Sequence, residues 1–541
     1  MKTQLDYVYD HEKNRSNDIW FTQPMGQNKV IDISFGESMT EVRKMAQHLK
    51  NLNLPTGSRI ALFSKNTAWW FMADLAIWMA GHITVPIYPT LAPNSIKQIL
   101  DHSGSVVIFI GKLDGWENME PGIPASVKRI IMPLGPKTTG ETWENIIKTT
   151  QAMKESPSPA PDAIATLMYT SGSTGVPKGV VHSFRTMCSA KVYVDEFKMK
   201  KDDRIISYLP LAHTAERTCV ETTNFMVGYH LYFAESLDTF IQDIQRARPT
   251  VFGSVPRLWV KFQAGVFQKL PPKKFATLKR IPIIGSLIKK KVLKGLGFDQ
   301  VRLAVSGSAP IPVELLDWYR DLGIHIREVY GMTENFAISH VVGGDDYKPG
   351  YVGKPLPGVP QKIAENGEIL IKTPGLMLGY YNAPDKTAET MTEDGWLKTG
   401  DRGEIDSEGR LKITGRVKEL FKTSKGKYVS PAPIENLIMA CPEVDQVCVM
   451  GAGMPQPMAI IVLSPVGKET KGQSIKVVID EVNGQLDQHE QLAKVVIVSD
   501  EWTIDNGMLT PTLKLKRNSV EEKYNKMVPD WYRHTEMVIH L

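Results

Sequence analysis

Cysteine is scarce in this chain: four in 541 residues. None of Cys188, Cys219, Cys441 and Cys448 forms a CxxC pair or joins histidines at zinc-ligand spacing, which excludes a disulfide scaffold and a zinc module. They read as reduced core residues of a cytoplasmic, reducing compartment. The opening "MKTQLDYVYDHEKNRS" has no apolar run, so no signal peptide is expected. Charge of one sign is also lacking. The net charge is +5 with acids and bases well mixed, which gives no argument for a nucleic-acid partner. No long hydrophobic run is free of interruption. The most apolar stretch, "WWFMADLAIWMAGHITVPIY" (69–88), carries Asp74, Gly81, His82 and Pro86. A spanning helix needs about 20 predominantly apolar residues, so a buried helix followed by a strand is expected and no transmembrane segment. Missing, finally, is the common nucleotide loop. It requires glycine directly before its lysine and Ser or Thr directly after. In "YTSGSTGVPKGVV" (169–181), Pro177 precedes Lys178 and Gly179 follows it.

What is present is an alternation. "RIALFSKN", "SVVIFIG", "KRIIMP" and "AIATLMYTSGS" read as buried strands, with helical stretches such as "SMTEVRKMAQHLKNLN" between them. That pattern argues for an α/β protein with substantial parallel pairing. "ESPSPAPDAI" (155–164) is a Pro/Ser-rich connector into the glycine loop. The length calls for more than one core. A large multi-subdomain N-terminal domain of mixed sheets and helices is expected over 1–416, and a small α+β C-terminal domain over 417–541.

The loop suits an anion. Gly172, Gly175 and Gly179 allow backbone N–H groups to approach closely, Thr170, Ser171, Ser173 and Thr174 add hydroxyls, and Lys178 adds charge. A plain Gly/Ser/Thr surface loop is the rival reading. Four companions follow in order: "REVYGMTEN" (327–335), "LKTGDRGEID" (397–406), "ITGRVKELFKTSKGKYVSP" (413–431) and "LTPTLKLKR" (509–517). Together with the loop they resemble the adenylate-forming enzymes: acyl-CoA synthetases, firefly luciferase and peptide-synthetase adenylation domains. "SYLPLAHTAER", "FGSVPRLW", "AVSGSAPIP" and the ending are similar to long-chain fatty acyl-CoA synthetases. Adenylation domains have Gly before the lysine of that ending, where this chain has Leu513.

The resemblance implies a ligase that joins a medium- to long-chain fatty acid to coenzyme A with ATP and Mg2+, through acyl-AMP. A fatty acyl-AMP ligase loading a carrier protein, or another carboxylic acid–CoA ligase, is the alternative. The resemblance also implies the site. The loop, with Lys178, would hold the β- and γ-phosphates of ATP. Glu334 would be the Mg2+ ligand with Thr170 as a second contact; its rival role is a helix cap. Tyr330 would stack on adenine, beside Gly331 and Thr333, with Ser308, Ala309 and Pro310 lining the channel. Asp401 and Arg416 would reach the ribose, and Lys422 the nucleotide. Lys514 would bridge the acyl carboxylate and α-phosphate, with Lys516 its competitor. His213 would line the substrate channel, and Lys418 would be the hinge of a mobile small domain. The basic run 270–298 reads most plainly as a helix pair with a solvated face; contact with a membrane surface, or with CoA phosphates, is the other reading.

Overall fold

The computed structural model describes residues 1–171, 177–279, 281–344, 346–510 and 513–541. Two compact units form: Met1–Tyr347 with Gly353–Pro360 and Lys372–Leu397, and Lys348–Val352 with Gln361–Ile371 and Lys398–Leu541.

The short apolar runs of strand length become the centre of the first unit because both faces of a parallel sheet are covered. Its largest sheet runs, edge to edge, Gly379–Tyr380, Pro177–Ser183, Ile164–Ser171, Ile83–Ile87, Arg59–Phe63, Val107–Ile110, Lys128–Ile131 and Glu141–Thr142. Strands Ile164–Ser171 through Glu141–Thr142 pair in parallel, and Pro177–Ser183 and Gly379–Tyr380 add antiparallel at one edge. The apolar stretch 69–88 folds as the helix Ala68–Met79 and the strand Ile83–Ile87. Thr67 caps the helix by accepting from the Trp70 N–H, and every helix residue is buried. A helix apolar all round belongs in the core of a large domain. Among the described residues no helix is long and apolar enough to cross a membrane. All four cysteines are free thiols, and burial pushes Cys188 up to about 11 and Cys219 up to about 12.

A five-stranded sheet in the same unit begins Val251–Ser254, Leu303–Gly307, Ile326–Tyr330, all parallel. The second unit holds the sheet containing Leu397–Ile405 and Leu411–Arg416, and a sheet of Val444–Met450, Met458–Leu463, Lys494–Val498 and Val538–His540. Side chains alternate across that last sheet. Val447, Val449, Ile461 and Val495 fill one core and Cys448, Met450, Ile460 and Val496 the other. Arg416 ends its strand, and residue 417 opens the turn Val417–Glu419 inside the second unit.

Candidate functional site

The two strands that flank the glycine loop pair with each other: Ile164–Ser171 and Pro177–Ser183 place Thr170 opposite Lys178 and Tyr169 opposite Gly179. Thr170 and Ser171 stand at the carboxyl end of the first strand, the end at which α/β sheets bind ligands. Gly172, Ser173, Thr174 and Gly175 lie outside the described residues, as does the Ser171 side chain. Gly179 is needed for packing: a Cβ there would stand 3.1 Å from the Tyr169 ring. The Tyr169 hydroxyl in turn hydrogen-bonds with His102 Nδ1 at 2.8 Å.

Tyr380, not singled out in the sequence, joins this strand pair to Glu334. It sits opposite Val180 at the sheet edge. Its ring centroid lies 5.0 Å from Lys178 Nζ, and its hydroxyl donates to Glu334 Oε1 at 2.8 Å. Burial first, and the Glu334 carboxylate next, hold the phenol well above its usual range, so it stays a donor. The Glu334 carbonyl accepts from the Met377 N–H at 2.8 Å, which fixes the backbone as well. Nothing local in the sequence marks a tyrosine 46 residues from its partner; only strand pairing reveals it.

The turn Thr333–Asn335 that carries Glu334 is clamped from three sides. His182 is buried, burial pushes its imidazole down to about 4, and neutral Nε2–H donates to the Thr333 carbonyl at 2.8 Å. Gly331 can bear no side chain, because a Cβ would lie 2.6 Å from Ala337 Cα. Phe336 and Ala337 then take left-handed φ values of +50° and +56°. Their carbonyls accept from Thr218 Oγ1 at 3.1 Å and Tyr193 OH at 2.5 Å. Two consecutive residues of this kind persist only where surroundings over-determine them.

In the five-stranded sheet, Gly307 stands beside Val329. Ser308, Ala309 and Pro310 therefore leave the sheet at the same carboxyl edge as Tyr330 and Gly331. The three are exposed, and Ser308 has φ +70°. The half-buried Tyr330 ring tilts against His340, with centroids 5.8 Å apart.

His213 caps a short helix, its Nδ1 accepting from the Ala215 N–H at 3.2 Å. Beneath it Glu216 is buried and accepts from Ser207 Oγ at 2.6 Å, Tyr208 N–H at 3.2 Å and Asn66 Nδ2 at 3.3 Å. Burial pushes its carboxyl up to about 8, so it is neutral at pH 7. Next to it, wholly buried Arg217 meets Asp74 at 2.9 Å and Glu221 at 2.7 Å, and burial raises both carboxyls. The motif around His213 gives no sign of the buried acids that anchor its segment.

In the second unit Asp401 stands opposite Arg416, whose Nε lies 2.9 Å from Asp401 Oδ1. Gly400 has φ +73°, and its N–H donates to Glu368 Oε1 at 2.8 Å. Lys418 is exposed in the turn Val417–Glu419. Lys422 is exposed on a two-stranded ribbon, its ammonium 5.6 Å from the Tyr428 ring. Lys514 is exposed on a tight turn: its N–H donates to Thr510 Oγ1 at 3.0 Å and its carbonyl accepts from the Thr510 N–H at 2.8 Å. Leu513 beside it has φ +60°. A single bridge, Leu509 to Leu515, closes this turn. Lys516 then precedes the helix Arg517–Tyr524, which Arg517 ties down through Glu435 at 2.6 Å and the Val449 carbonyl at 2.7 Å.

Among the described residues no group of three or more His, Cys, Asp and Glu could hold a metal alone. A lone carboxylate set by a donor, as Glu334 is by Tyr380, fits Mg2+, which takes one or two carboxylates and completes its shell with phosphate and water.

Residues 11–381 match the family described as AMP-binding enzyme, and 419–536 match the AMP-binding enzyme C-terminal domain. The chain is 30% identical to a Mycobacterium bovis protein named long-chain-fatty-acid–CoA ligase FadD15, over 96% of this chain and 95% of that one. It is 29% identical to the peroxisomal long chain acyl-CoA synthetase 6 of Arabidopsis thaliana, over 93% and 81%. Among solved structures, the O-succinylbenzoate coenzyme A synthetase of Bacillus subtilis in complex with AMP shares the fold, with TM-score 0.75, 24% identity, and 95% and 98% covered. The match to the AMP-binding model spans well over half of the residues and its C-terminal companion follows in order, so the chain belongs to the AMP-binding enzyme family.

Proposed function

We propose that this protein is an ATP-dependent fatty acyl-CoA synthetase acting on medium- to long-chain acids. The observation that carries this is near full-length similarity to proteins named long-chain fatty acid–CoA ligases. A fatty acid carboxylate oxygen attacks the α-phosphorus of ATP, forming acyl-AMP and releasing pyrophosphate. The CoA sulfur then attacks the acyl carbonyl, and AMP leaves with the electron pair of the broken C–O bond. No enzyme nucleophile is required, so positioning and charge do the catalysis.

The glycine loop, with Thr170 and Lys178, holds the terminal phosphates. Tyr330, Gly331, Thr333 and Ser308–Pro310 receive the adenine, and Asp401 and Arg416 the ribose, with Lys422 on the nucleotide. Glu334 is the Mg2+ carboxylate; the bound ion supplies countercharge to the phosphates. Lys514 offsets the charge of the carboxylate and α-phosphate during adenylation. His213 lines the acyl route. Residues 417–541 turn about Lys418 between the two half-reactions.

The test is incubation with fatty acids of graded length, ATP and Mg2+, with and without CoA, aryl acids included. Thioester formation fastest with fatty acids supports the reading. Pyrophosphate release without acyl-CoA would favour a carrier-loading ligase, and preference for aryl acids another CoA ligase. Lys514→Ala should abolish acyl-AMP formation yet still convert supplied acyl-AMP and CoA to thioester. Lys418→Pro should leave acyl-AMP formation largely intact and slow the thioester step, because proline fixes φ at about −65°. Equal loss of both steps in Lys514→Ala would overturn its assigned role.

A further inference from the structure

The run 270–298 contains Lys273, Lys274, Lys279, Arg280, Lys289, Lys290, Lys291 and Lys294 and no acid, in a chain whose whole net charge is +5. It folds as two packed helices, Pro272–Lys279 and Pro282–Leu296. Phe275 is buried against Trp318, and Leu296 is buried at the far end. Gly285 lets the second helix press on the first: a Cβ there would lie 2.3 Å from the Lys279 carbonyl oxygen. Lys279, at the end of the first helix, pairs with Asp321, which anchors the turn between the two helices to the rest of its unit.

Past that anchor, the connection and the first turns of the second helix form an apolar tip. Ile281, Ile283, Ile284 and Leu287 are all exposed there, Ile283 at 77% and Leu287 at 61%. Among the described residues no other four exposed large hydrophobics fall within seven positions; the next densest set is the pair Leu237 and Ile241. Helical spacing continues the outer stripe of Ile283 and Leu287 into Lys290 and Lys294, with Lys291 alongside, all three exposed. From Ile283 to Lys290 the axial rise is about 10 Å. Interfacial helices bury their apolar groups roughly 5–10 Å into the headgroup and acyl boundary. An apolar tip inserted to that depth brings the lysine collar level with lipid phosphates.

We propose that the tip of this helix pair docks the protein on an anionic lipid bilayer, with Ile281, Ile283, Ile284 and Leu287 entering the interface and Lys290, Lys291 and Lys294 meeting the phosphates. Charge complementarity selects this occupant. A nucleic acid would use the lysines and leave four branched aliphatic side chains in water. Docking places the enzyme where long-chain acids partition; that benefit rests on the function proposed above, and the lipid contact does not.

The experiment is flotation of the whole purified protein with vesicles of phosphatidylcholine alone or mixed in equal parts with phosphatidylglycerol. Binding to the anionic vesicles that weakens with added salt is expected. Lys290→Glu/Lys294→Glu should weaken it about thirtyfold or more, given the attraction each lysine supplies near such a surface. Ile283→Ser/Leu287→Ser should weaken it at least about tenfold. Both variants should keep wild-type turnover of a short, freely soluble fatty acid without vesicles, which verifies folding. No flotation with anionic vesicles, or flotation that survives both double substitutions, overturns the proposal. So does a random DNA oligonucleotide that binds as tightly as the vesicles and is indifferent to the serine pair. Vesicle binding without any ligase activity would support the lipid contact while refuting the proposed function.

Discussion

Removing one hydroxyl tests how Glu334 is held. Tyr380→Phe keeps the ring that Lys178 approaches at 5.0 Å and deletes only the donor 2.8 Å from Glu334 Oε1. A hydrogen bond to a charged group contributes about 1.5–3 kcal/mol. Glu334 is only half-buried, so the lower end of that range applies. A loss of about 1.5 kcal/mol corresponds to a roughly tenfold slower step if it falls wholly on transition-state positioning. The assay is single-turnover pyrophosphate release from ATP and a fatty acid, run as a cycle with Glu334→Gln. Tyr380→Phe should slow the step about tenfold, and Glu334→Gln more. The double variant should be no worse than Glu334→Gln alone, because the tyrosine acts through that carboxylate. A Tyr380→Phe enzyme at wild-type rate, or two deficits that multiply, would refute the reasoning.

Three further outcomes follow from buried or strained groups. Glu216 is raised from 4.5 to about 8 in the fold, so its contribution to stability is complete below its unfolded value and is lost as pH rises toward 8. Glu216→Gln should therefore flatten the fall in melting temperature between about pH 5 and 8, and an unchanged slope would contradict this. Arg217→Met leaves Asp74 and Glu221 buried without their cation and should cost about 3–5 kcal/mol by denaturant unfolding, less at acid pH where the carboxyls take up protons. A cost below about 1 kcal/mol would mean that the cluster is not coupled as drawn. Leu513→Gly relieves a left-handed leucine and should stabilise by up to about 1 kcal/mol in the same assay; destabilisation would show that the leucine side chain itself is needed.

Much of the architecture was legible because burial on both faces leaves an unbroken apolar signature. "RIALFSKN", "SVVIFIG", "KRIIMP" and "AIATLMYTSGS" are the parallel strands Arg59–Phe63, Val107–Ile110, Lys128–Ile131 and Ile164–Ser171. The stretch 69–88 folds as helix and strand for the reason its Asp74 and Gly81 gave. Motif order alone indicated the adenylate-forming family. Long-range pairing was out of reach. Tyr380 meets Glu334 only because a two-residue strand adds to the strand pair that flanks the loop. Glu216 looks like any helical surface acid until the fold buries it over Ser207. Leu513 argues locally against the left-handed backbone it adopts, and the Thr510–Lys514 hydrogen bonds close its turn. Local sequence sets which segments are apolar and at what period. Which polar groups lose water, and whom they meet when they do, is decided by contacts between segments far apart in the chain.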